Sequence, residues 1–435
     1  MKYLLLTTFL IQASTASPLT KWFQLPKKER GAIPGIVLNT KIETAEDLQK
    51  AKKAVWTAYK DGAVKRGWDK AFPAEPGDIK SWIKDGKLTF NTADLGAKKM
   101  PYIILAKGKK PADGWPVFFC LHGGGGNARA EGPHSWQVNT REWQAQMQLS
   151  TRVWESPGLY IIPRMADDRE GRWYYGYNQV FLDRAIQQAI LFNGADPNKI
   201  YLMGISEGGY TAFRLGSMMA DRWAGSCAMA AAEPLGNAPP ENMQHVAFRC
   251  GIGEKDSMFD RIGLARNYFK KLNEWKKKHP QNFNFYFDEQ KGRGHGIDYK
   301  PGPAWIANYT RNPVPKNFHW TVIKQHDRHR NRLYWLALDE SPAKLPLKLT
   351  AAAMPNNTIK ITALDKDGNK ATGISLRIYL SSTLVDMSKP VTISINDGQA
   401  RLEGIPTPSM GALIRSTAER GDPTQVFPAE FKIKF

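Results

Sequence analysis

The sequence predicts an α/β fold, with a mostly parallel sheet flanked by helices and a small C-terminal all-β (sandwich-like) domain. Short apolar segments alternate with segments of helical periodicity between residues 81 and 345. A glycine-rich turn at residues 204–209 joins one apolar segment directly to a helical run. After residue 345 the pattern changes to short alternating segments separated by turn residues, which is typical of a β-sandwich.

The chain before this alternation divides into two parts. Residues 1–16 combine an early lysine, an apolar stretch and a small-residue cleavage site, which is the pattern of a secretory signal peptide. That apolar stretch is too short to span a bilayer. Residues 17–80 are basic and helix-prone, and Thr44 is a predicted N-cap before apolar residues at helical spacing. We expect an exported protein, periplasmic or secreted, whose helical N-terminal extension packs on the main domain.

Residues 81–345 form the predicted main domain. Strands that alternate with helices are expected to run mostly parallel, because a helix returns the chain to the starting edge of the sheet. The predicted strands are Lys87–Asn91, Pro101–Ala106, Pro116–Leu121, Leu159–Ile162, Ile200–Met203, Ala224–Ala230, Val246–Cys250 and Phe283–Phe287. The predicted helices are Tyr177–Asn193, Tyr210–Ala220 and Arg261–His279.

Residues 346–435 are predicted to form the C-terminal β domain. Its expected strands are separated by turn sequences rich in Asp, Asn and Gly. They are Lys348–Ala353, Thr358–Leu364, Ile374–Leu380, Val391–Ile395 and Gln399–Glu403. No cluster of catalytic residue types occurs in this part of the sequence, so a role in glycan binding or in covering the main domain is left open.

Composition excludes several classes of function. The 435 residues carry a formal net charge of +20, which favours polyanionic partners, but the lysines are scattered and no nucleic-acid-binding motif appears. We therefore expect no nucleic-acid partner, and oligomeric state is left open. The three cysteines lie in apolar runs and are expected to be buried thiols. No credible set of metal ligands appears, and neither a metal nor a cofactor is expected.

The turn at Gly204-x-Ser206-x-Gly208 carries the strongest functional signal. A strand precedes it and a helix follows it, which is the context of a nucleophile elbow. The turn is so sharp that the serine adopts a strained backbone conformation and its two glycine neighbours avoid collisions. Ser206 is therefore the predicted nucleophile.

A serine nucleophile needs a base, and the base needs a carboxylate to orient it. Downstream of an elbow the carboxylate comes before the histidine in the chain. Asp256 follows the strand Val246–Cys250 and is the predicted acid, with Glu254 and Asp260 as competitors.

His295 is the predicted base. It follows the last predicted strand of the main domain, and the glycines on either side of it allow a loop to bring its ring over the serine. The chain has eight histidines, and His122 lies in a glycine loop, where it is more often a structural residue. His319, His326 and His329 lie in a basic segment beyond this region.

The negative charge that forms on the substrate oxygen during serine attack needs backbone N–H donors. Glu207, the first residue after the nucleophile, supplies one predicted donor. Gly124 or Gly125 supplies the second, because glycine lets the backbone approach the substrate closely. A phosphate cradle is a poor alternative, because no Gly-Lys-Ser/Thr sequence follows the glycines.

Aromatic residues beside the predicted catalytic edge could stack on a substrate ring or pack in the core. Trp173, Tyr174 and Tyr175 follow a strand end, and Trp136 lies after the glycine loop. They are the predicted substrate-binding residues. The connection from residue 230 to residue 246 is too short for a helical lid, so an open cleft is expected.

These motifs resemble the α/β-hydrolase superfamily, with the greatest similarity to secreted bacterial esterases of the feruloyl esterase and polyhydroxyalkanoate depolymerase type. The similarity lies in Leu121–Asn127 and Asp196–Gly209, with Asp256 and His295 in the expected order. The resemblance implies a Ser–His–Asp triad with an oxyanion hole at the two glycine positions and Glu207. Glu207 departs from the pattern by placing a carboxylate beside the nucleophile, which would disfavour anionic acyl groups.

The resemblance implies an exported serine carboxylic-ester hydrolase that forms an acyl-enzyme. Its expected substrates are ester substituents of polysaccharides or other bulky esters. One alternative is a serine peptidase of the same fold, although such peptidases usually carry an N-terminal β-propeller that residues 17–80 cannot form. The other alternative is a non-catalytic glycan-binding protein that has kept the fold.

Overall fold

The computed structural model describes residues 16–70, 77–85, 87–398 and 400–435. Residues 1–15 lie outside this set, so the signal peptide stays a prediction. Three helices follow in the N-terminal extension, namely α1 (Pro18–Gln24), α2 (Gly35–Leu38) and α3 (Ala45–Lys65). A 3-10 turn at Lys27–Glu29 joins the first two.

Helix α3 begins where the sequence predicted. The Thr44 hydroxyl accepts from the Asp47 N–H at 3.1 Å, and the Asp47 carboxylate accepts from the Thr44 N–H at 3.0 Å. This reciprocal capping box satisfies two backbone donors at the helix start. On the main domain, Gln187 Oε1 accepts a hydrogen bond of 2.7 Å from the Tyr59 hydroxyl. The extension is therefore attached to the main domain by a direct contact.

The central sheet has eight strands, and helices flank it as predicted. Its order is β1-β2-β4-β3-β5-β6-β7-β8, and β2 runs antiparallel to both of its neighbours while the other pairs are parallel. The strands are β1 (Asn91–Asp94), β2 (Lys99–Lys107), β3 (Trp115–Leu121), β4 (Gly158–Pro163), β5 (Ala195–Ile205), β6 (Gly225–Met229), β7 (Ala247–Gly253) and β8 (Phe285–Gln290).

Strand order reverses around β3, which pairs with β4 on one side and with β5 on the other. The chain segments that leave β3 and β5 diverge at such a point and open a crevice at the carboxyl edge of the sheet, where ligands bind. The predicted glycine loop follows β3, and the predicted nucleophile follows β5. The topology therefore brings the two motifs to one crevice.

Helices and short turns connect these strands. The helices are α4 (Gln137–Gln148), α5 (Gly176–Gln188), α6 (Glu207–Met218), α7 (Arg261–Lys278) and α8 (Pro301–Ile306). Two π-helical turns, Leu149–Val153 and Ala189–Asn193, extend α4 and α5. The 3-10 turns are Ile79–Trp82, Pro240–His245 and Met258–Asp260, and a two-stranded hairpin pairs Ile83–Lys84 with Lys87–Leu88. All three cysteines are buried in strands of the sheet, as expected.

Two further sheets lie toward the C-terminus, which agrees with the predicted sandwich-like part of the fold. One contains Asn317–Val322, Leu347–Met354, Thr358–Leu364, Val391–Ile395 and Ala400–Gly404. The other contains Arg332–Leu333, Leu336–Leu338, Ser375–Leu380 and Ala429–Lys434.

The C-terminal part differs from the prediction in two respects. Its first strand, Asn317–Val322, pairs with Leu347–Met354 and so precedes the boundary predicted at residue 346. A helix, α9 (Met410–Arg420), also belongs to this part, so it is not all-β. A 3-10 turn at Pro423–Gln425 follows that helix. Apolar residues of α9 share a buried cluster with α1 and α3 of the N-terminal extension.

Candidate active site

Ser206 occupies a sharp turn between β5 and α6. Its φ of 52° lies in the left-handed region that non-glycine residues rarely adopt. A Cβ atom on Gly204 would lie 2.0 Å from the carbonyl oxygen of Gly208, and one on Gly208 would lie 2.2 Å from that of Leu121. Only glycine fits at either position. The strained serine and its two small neighbours are the features that the sequence predicted for a nucleophile elbow.

The structure brings His295 and Asp256 to Ser206. The distance from His295 Nε2 to Ser206 Oγ is 3.1 Å, and His295 Nδ1 lies 2.7 Å from Asp256 Oδ2. In this arrangement Nδ1–H donates to the carboxylate and Nε2 is free to accept the serine proton. The three side chains follow β5, β7 and β8, so they meet at one edge of the sheet. The geometry is that of a serine hydrolase catalytic triad.

Asp256 is buried, and it also forms an ion pair with Arg261. Its side chain is 2% exposed, and Oδ1 accepts a hydrogen bond of 2.9 Å from Arg261 Nη1. The competitor Glu254 accepts instead from the Gly292 N–H at 2.8 Å, and the other competitor, Asp260, pairs with neither His295 nor Ser206 among the described contacts. Of the three candidate carboxylates, Asp256 alone contacts His295 within the described residues.

Backbone donors near Ser206 are positioned by the elbow and by the glycine loop. The N–H of Glu207 belongs to the first turn of α6 and has no partner within that helix. Gly124 has a φ of 93°, and a Cβ atom there would lie 2.1 Å from Asn139 Oδ1, so the position requires glycine. Gly124 remains the candidate for the second donor.

Gly125 is not available for that role. Its N–H already donates to Asn139 Oδ1 at 3.0 Å, so it cannot be aimed at a substrate oxygen. The sequence left Gly124 and Gly125 as alternatives for the second donor. The structure excludes Gly125, because the Asn139 side chain of α4 accepts a hydrogen bond from the Gly125 N–H. The sequence gives no sign of this, since Asn139 lies 14 residues further along the chain.

A buried polar network holds the glycine loop. Asn139 Nδ2 donates to Gly125 O at 2.9 Å and to Asp168 Oδ1 at 2.7 Å. Arg164 forms a bidentate ion pair with Asp168, in which Nη1 donates to Oδ1 at 2.7 Å and Nη2 donates to Oδ2 at 2.8 Å. Because every member is paired, the network fixes the loop rather than weakening the core. None of Asn139, Arg164 and Asp168 was predicted from the sequence, because no local pattern links α4 to the loop after β4.

His122 has the structural role that was expected for it. Its Nδ1 lies 2.6 Å from Gly123 O, and its Nε2 accepts from the Met165 N–H at 3.0 Å. Burial lowers the pKa of His122 to about 3, so the ring is neutral and ties the loop after β3 to the loop after β4.

The Glu207 carboxyl lies beside the nucleophile and pairs with Arg172. The glutamate is 2% exposed, whereas the Arg172 side chain is 44% exposed. Burial raises the pKa of Glu207 to about 7, against the opposing effect of Arg172. The pairing with a guanidinium removes the expected repulsion of anionic acyl groups, because the two side chains together carry no net negative charge. Arg172 was not singled out from the sequence.

The four predicted aromatic residues divide into two groups. Trp173 is 1% exposed, and its indole N–H donates to His122 O at 2.9 Å. It is a core residue, so the prediction that it contacts substrate is wrong. Tyr174, Tyr175 and Trp136 are partly exposed. Tyr174 stacks under Arg214 at 4.1 Å, and Tyr175 stacks on His326 at 4.0 Å. Their role in substrate binding stays a prediction.

The segment between β6 and β7 contains the single 3-10 turn Pro240–His245 and no α-helix among its described residues. Within the described ranges, no group of three or more His, Cys, Asp and Glu side chains is arranged to hold a metal ion. None of the helices described is both long and apolar enough to cross a bilayer.

Comparisons with known proteins give only structural similarities. No family model and no curated protein matches the chain. A thermostable esterase is 18% identical over 48% of this chain and 56% of its own length, with a TM-score of 0.34. A ferulic acid esterase is 14% identical over 51% of this chain and 94% of its own, with a TM-score of 0.33. The BES protein from Bacillus cereus is 14% identical over 53% of this chain and 99% of its own length, with a TM-score of 0.35.

These scores are low, and the match spans little more than half of the thermostable esterase. The strand order of the central sheet and the arrangement of the side chains at the site do not depend on these similarities. Both have the architecture of an α/β-hydrolase, with the nucleophile elbow after β5 and the remaining triad members after β7 and β8.

Proposed function

We propose that the protein is an exported serine carboxylic-ester hydrolase that works through an acyl-enzyme. The observation that carries the proposal is the continuous hydrogen-bonded chain from Ser206 through His295 to the buried Asp256. A hydroxyl, a base and an orienting carboxylate at these distances form the machinery of acyl transfer. The strained backbone of Ser206 is further support, because such strain costs free energy and is found mainly at functional sites, where the surrounding structure maintains it.

In the first half of the reaction, Ser206 Oγ attacks the ester carbonyl carbon while its proton passes to His295 Nε2. The N–H groups of Glu207 and Gly124 stabilise the negative oxygen, and Asp256 stabilises the imidazolium. The carbon–oxygen bond to the alcohol then breaks, and His295 returns the proton to the departing alcohol. The acyl group remains on Ser206.

In the second half, His295 takes a proton from water, and the resulting hydroxide attacks the acyl carbon. The bond to Ser206 Oγ breaks, the serine recovers its proton from His295, and the acid leaves. Both halves use the same donors, so a single site completes hydrolysis without a further group.

Ester substituents of polysaccharides, or other bulky esters, are the proposed substrates. The short connection between β6 and β7 supports an open cleft, which admits a polymer more readily than a covered pocket does. The partly exposed aromatic residues Trp136, Tyr174 and Tyr175 offer faces on which sugar or phenolic rings stack. Export is proposed from the N-terminal sequence pattern.

The proposal is tested by assaying acetyl, feruloyl, methyl-uronate and hydroxyalkanoate esters with the native protein and three variants. Ser206→Ala should lower kcat/KM by at least about 10⁴-fold, because the nucleophile is lost. Asp256→Asn should lower kcat by about 10⁴-fold, because the amide no longer holds the imidazole in the working tautomer. Glu254→Gln is the matched control, since this neighbouring carboxylate contacts Gly292 rather than His295.

Equal activity in Ser206→Ala and the native protein would contradict the proposal. So would failure of the native protein both to cleave any of these esters and to be labelled by a fluorophosphonate. Cleavage of peptide anilides in preference to every ester would favour the peptidase alternative. Tight glycan binding without turnover, unchanged in Ser206→Ala, would favour the non-catalytic one.

A further inference from the structure

A polar cavity of about 310 Å³ lies where the N-terminal extension, α5 and the C-terminal part meet. Its lining includes no member of the triad. The residues come from distant parts of the chain, among them Lys27 from the extension, Asp183 from α5 and Glu419 from α9. A volume of this size matches the lower end of small-molecule binding sites.

Positive charge predominates in the lining of this cavity. Four arginines and one lysine line it, against three carboxylates. The cations are Lys27, Arg328, Arg330, Arg332 and Arg420, and the carboxylates are Asp183, Asp339 and Glu419. The lining alone therefore carries two positive charges more than it carries negative ones.

Each of the three carboxylates is already bound by an arginine. Asp183 pairs with Arg330, at 2.5 and 3.0 Å, and Glu419 pairs with Arg332 at 3.0 Å. Asp339 accepts from Arg377, which lies outside the cavity lining, at 2.6 and 2.9 Å. These contacts leave no carboxylate in the cavity to neutralise a further cation.

Lys27 and Arg328 are the cations that remain. Neither forms an ion pair with a carboxylate among the described residues, and Arg328 donates to the Gly176 carbonyl at 3.1 Å. Burial lowers the pKa of Arg328, against the opposing attraction of Asp183 and Asp327. Lys27 and Arg328 are therefore the two cations of the lining that remain available to pair with an anion.

Two further groups in the lining carry unused hydrogen-bond capacity. Arg420 is 3% exposed, and its Nε has no hydrogen-bond partner within the described part of the chain. Arg420 pairs with Asp221 through Nη2 at 2.7 Å, yet burial still lowers its pKa to about 9. His329 Nε2 is likewise buried without a partner among the described residues. The cavity thus combines an excess of positive charge with two nitrogen atoms that have no hydrogen-bond partner among the described residues.

From these observations we propose that the cavity is a binding site for a tetrahedral dianion of the sulfate or phosphate class. Guanidinium groups bind such oxyanions through paired, charge-assisted hydrogen bonds. A dianion matches the two unneutralised cations, whereas a single carboxylate would leave one positive charge over. The dianion is either the free ion or the phosphate group of a sugar phosphate, since a sulfate ester carries only one negative charge, and both sources present three or four oxygen atoms to Arg328 and Lys27.

The test is isothermal titration calorimetry at low ionic strength with sodium sulfate, sodium phosphate, glucose 6-phosphate and glucose. Sodium chloride at matched ionic strength corrects for screening. The native protein should bind at least one dianion with a one-to-one stoichiometry, and glucose should not bind. Lys27→Met and Arg328→Gln should each weaken that binding about tenfold, because each removes one charged donor.

Lys270→Met is the matched control, since it removes a lysine from the exposed face of α7 and should leave the affinity unchanged. Lys27 is exposed, so its substitution tests the site even if Arg328→Gln unfolds the protein. Tighter binding of glucose 6-phosphate than of inorganic phosphate identifies a sugar phosphate as the ligand, and the reverse order identifies the free ion. The proposal is overturned if no dianion binds more tightly than about 10 mM, or if Lys27→Met and Lys270→Met bind it equally.

Discussion

At the scale of single residues, Glu207 has two roles, one through its backbone N–H and the other through its carboxyl group. Its N–H is a candidate oxyanion donor, while its carboxyl is buried beside Arg172 and has one oxygen, Oε1, without a partner among the described residues. Desolvation of that carboxyl outweighs the attraction of the guanidinium, which is why its pKa lies near 7. The protonation state of Glu207 therefore changes near neutral pH, directly behind the nucleophile.

Glu207 should make the stability of the protein depend on pH. Its pKa rises from 4.5 to about 7 on folding, so between these values the folded protein holds a proton that the unfolded chain releases. The free energy of unfolding must then fall as pH rises through this window. Glu207→Gln cannot titrate, so its stability relative to the native protein should increase from pH 4.5 to pH 7.5, by at most about 3 kcal/mol.

Urea unfolding of both proteins at several pH values measures this difference. Glu131→Gln, at an exposed site, is the control and should follow the native protein throughout. A stability difference between Glu207→Gln and the native protein that stays constant, or that falls as pH rises, would show that the carboxyl is not held protonated by burial.

The three residues of the candidate triad could be picked out from the sequence because strand ends and chain order constrain them. Ser206, Asp256 and His295 each follow an apolar strand, and the ends of parallel strands meet at one edge. Trp173 could not be placed in the same way. An aromatic residue near a strand end has a similar sequence signature whether its ring faces solvent or, as here, its indole donates to a carbonyl inside the core.

At the scale of elements, the glycine loop after β3 is held by α4 as well as by the backbone conformations of its own glycines. Asn139 accepts from the Gly125 N–H and donates to the Gly125 carbonyl, so one side-chain amide holds both backbone polar groups of this residue. Asp168 and Arg164 hold the amide in turn. The Gly124 N–H can be aimed at a substrate oxygen because its neighbour is fixed in this way.

Asn139→Ala should therefore lower kcat on p-nitrophenyl acetate by about 10- to 100-fold while changing KM little. Loss of the amide frees the Gly125 peptide and displaces the Gly124 donor, and loss of a whole oxyanion donor costs about 10² to 10³ in rate. Gln144→Ala, on the exposed face of the same helix, is the matched control. A loss of thermal stability with an unchanged kcat would mean that Asn139 supports the fold alone.

The elements of the central sheet follow closely from the sequence, whereas the C-terminal part does not. Central strands are short, almost fully buried apolar runs, and their length together with the helical segments between them indicates a mostly parallel sheet. The strand Asn317–Val322 lies in a basic segment and contains three polar side chains that alternate with apolar ones, and its pairing partner begins 30 residues later, at Leu347. Nothing local in that segment indicates that it starts a second pair of sheets.

At the scale of the whole molecule, buried arginines join the separate parts of the chain. Arg311 follows α8 and is 3% exposed. It donates to Asn198 of β5 at 3.0 Å, to the Asp221 carbonyl at 2.7 Å and to Asp422 beyond α9 at 2.8 Å. The central sheet and the C-terminal part therefore share one buried polar junction, and opening either part exposes the charges of both.

This junction should make the protein unfold as a unit and make Asp422 critical to its stability. Asp422 and Arg311 side chains are each 1% exposed, so Asp422→Asn leaves a buried guanidinium without its counter-charge and should cost about 3 to 5 kcal/mol. Glu403→Gln, which breaks an exposed pair with Arg401, should cost less than about 1 kcal/mol. Guanidinium unfolding followed by fluorescence and by far-UV circular dichroism measures both changes. The fluorescence and circular dichroism signals should coincide in one transition for the native protein, because neither part can lose its fold without exposing the shared charges.

Separate transitions, with Asp422→Asn affecting only one of them, would show that the C-terminal part folds independently of the central sheet.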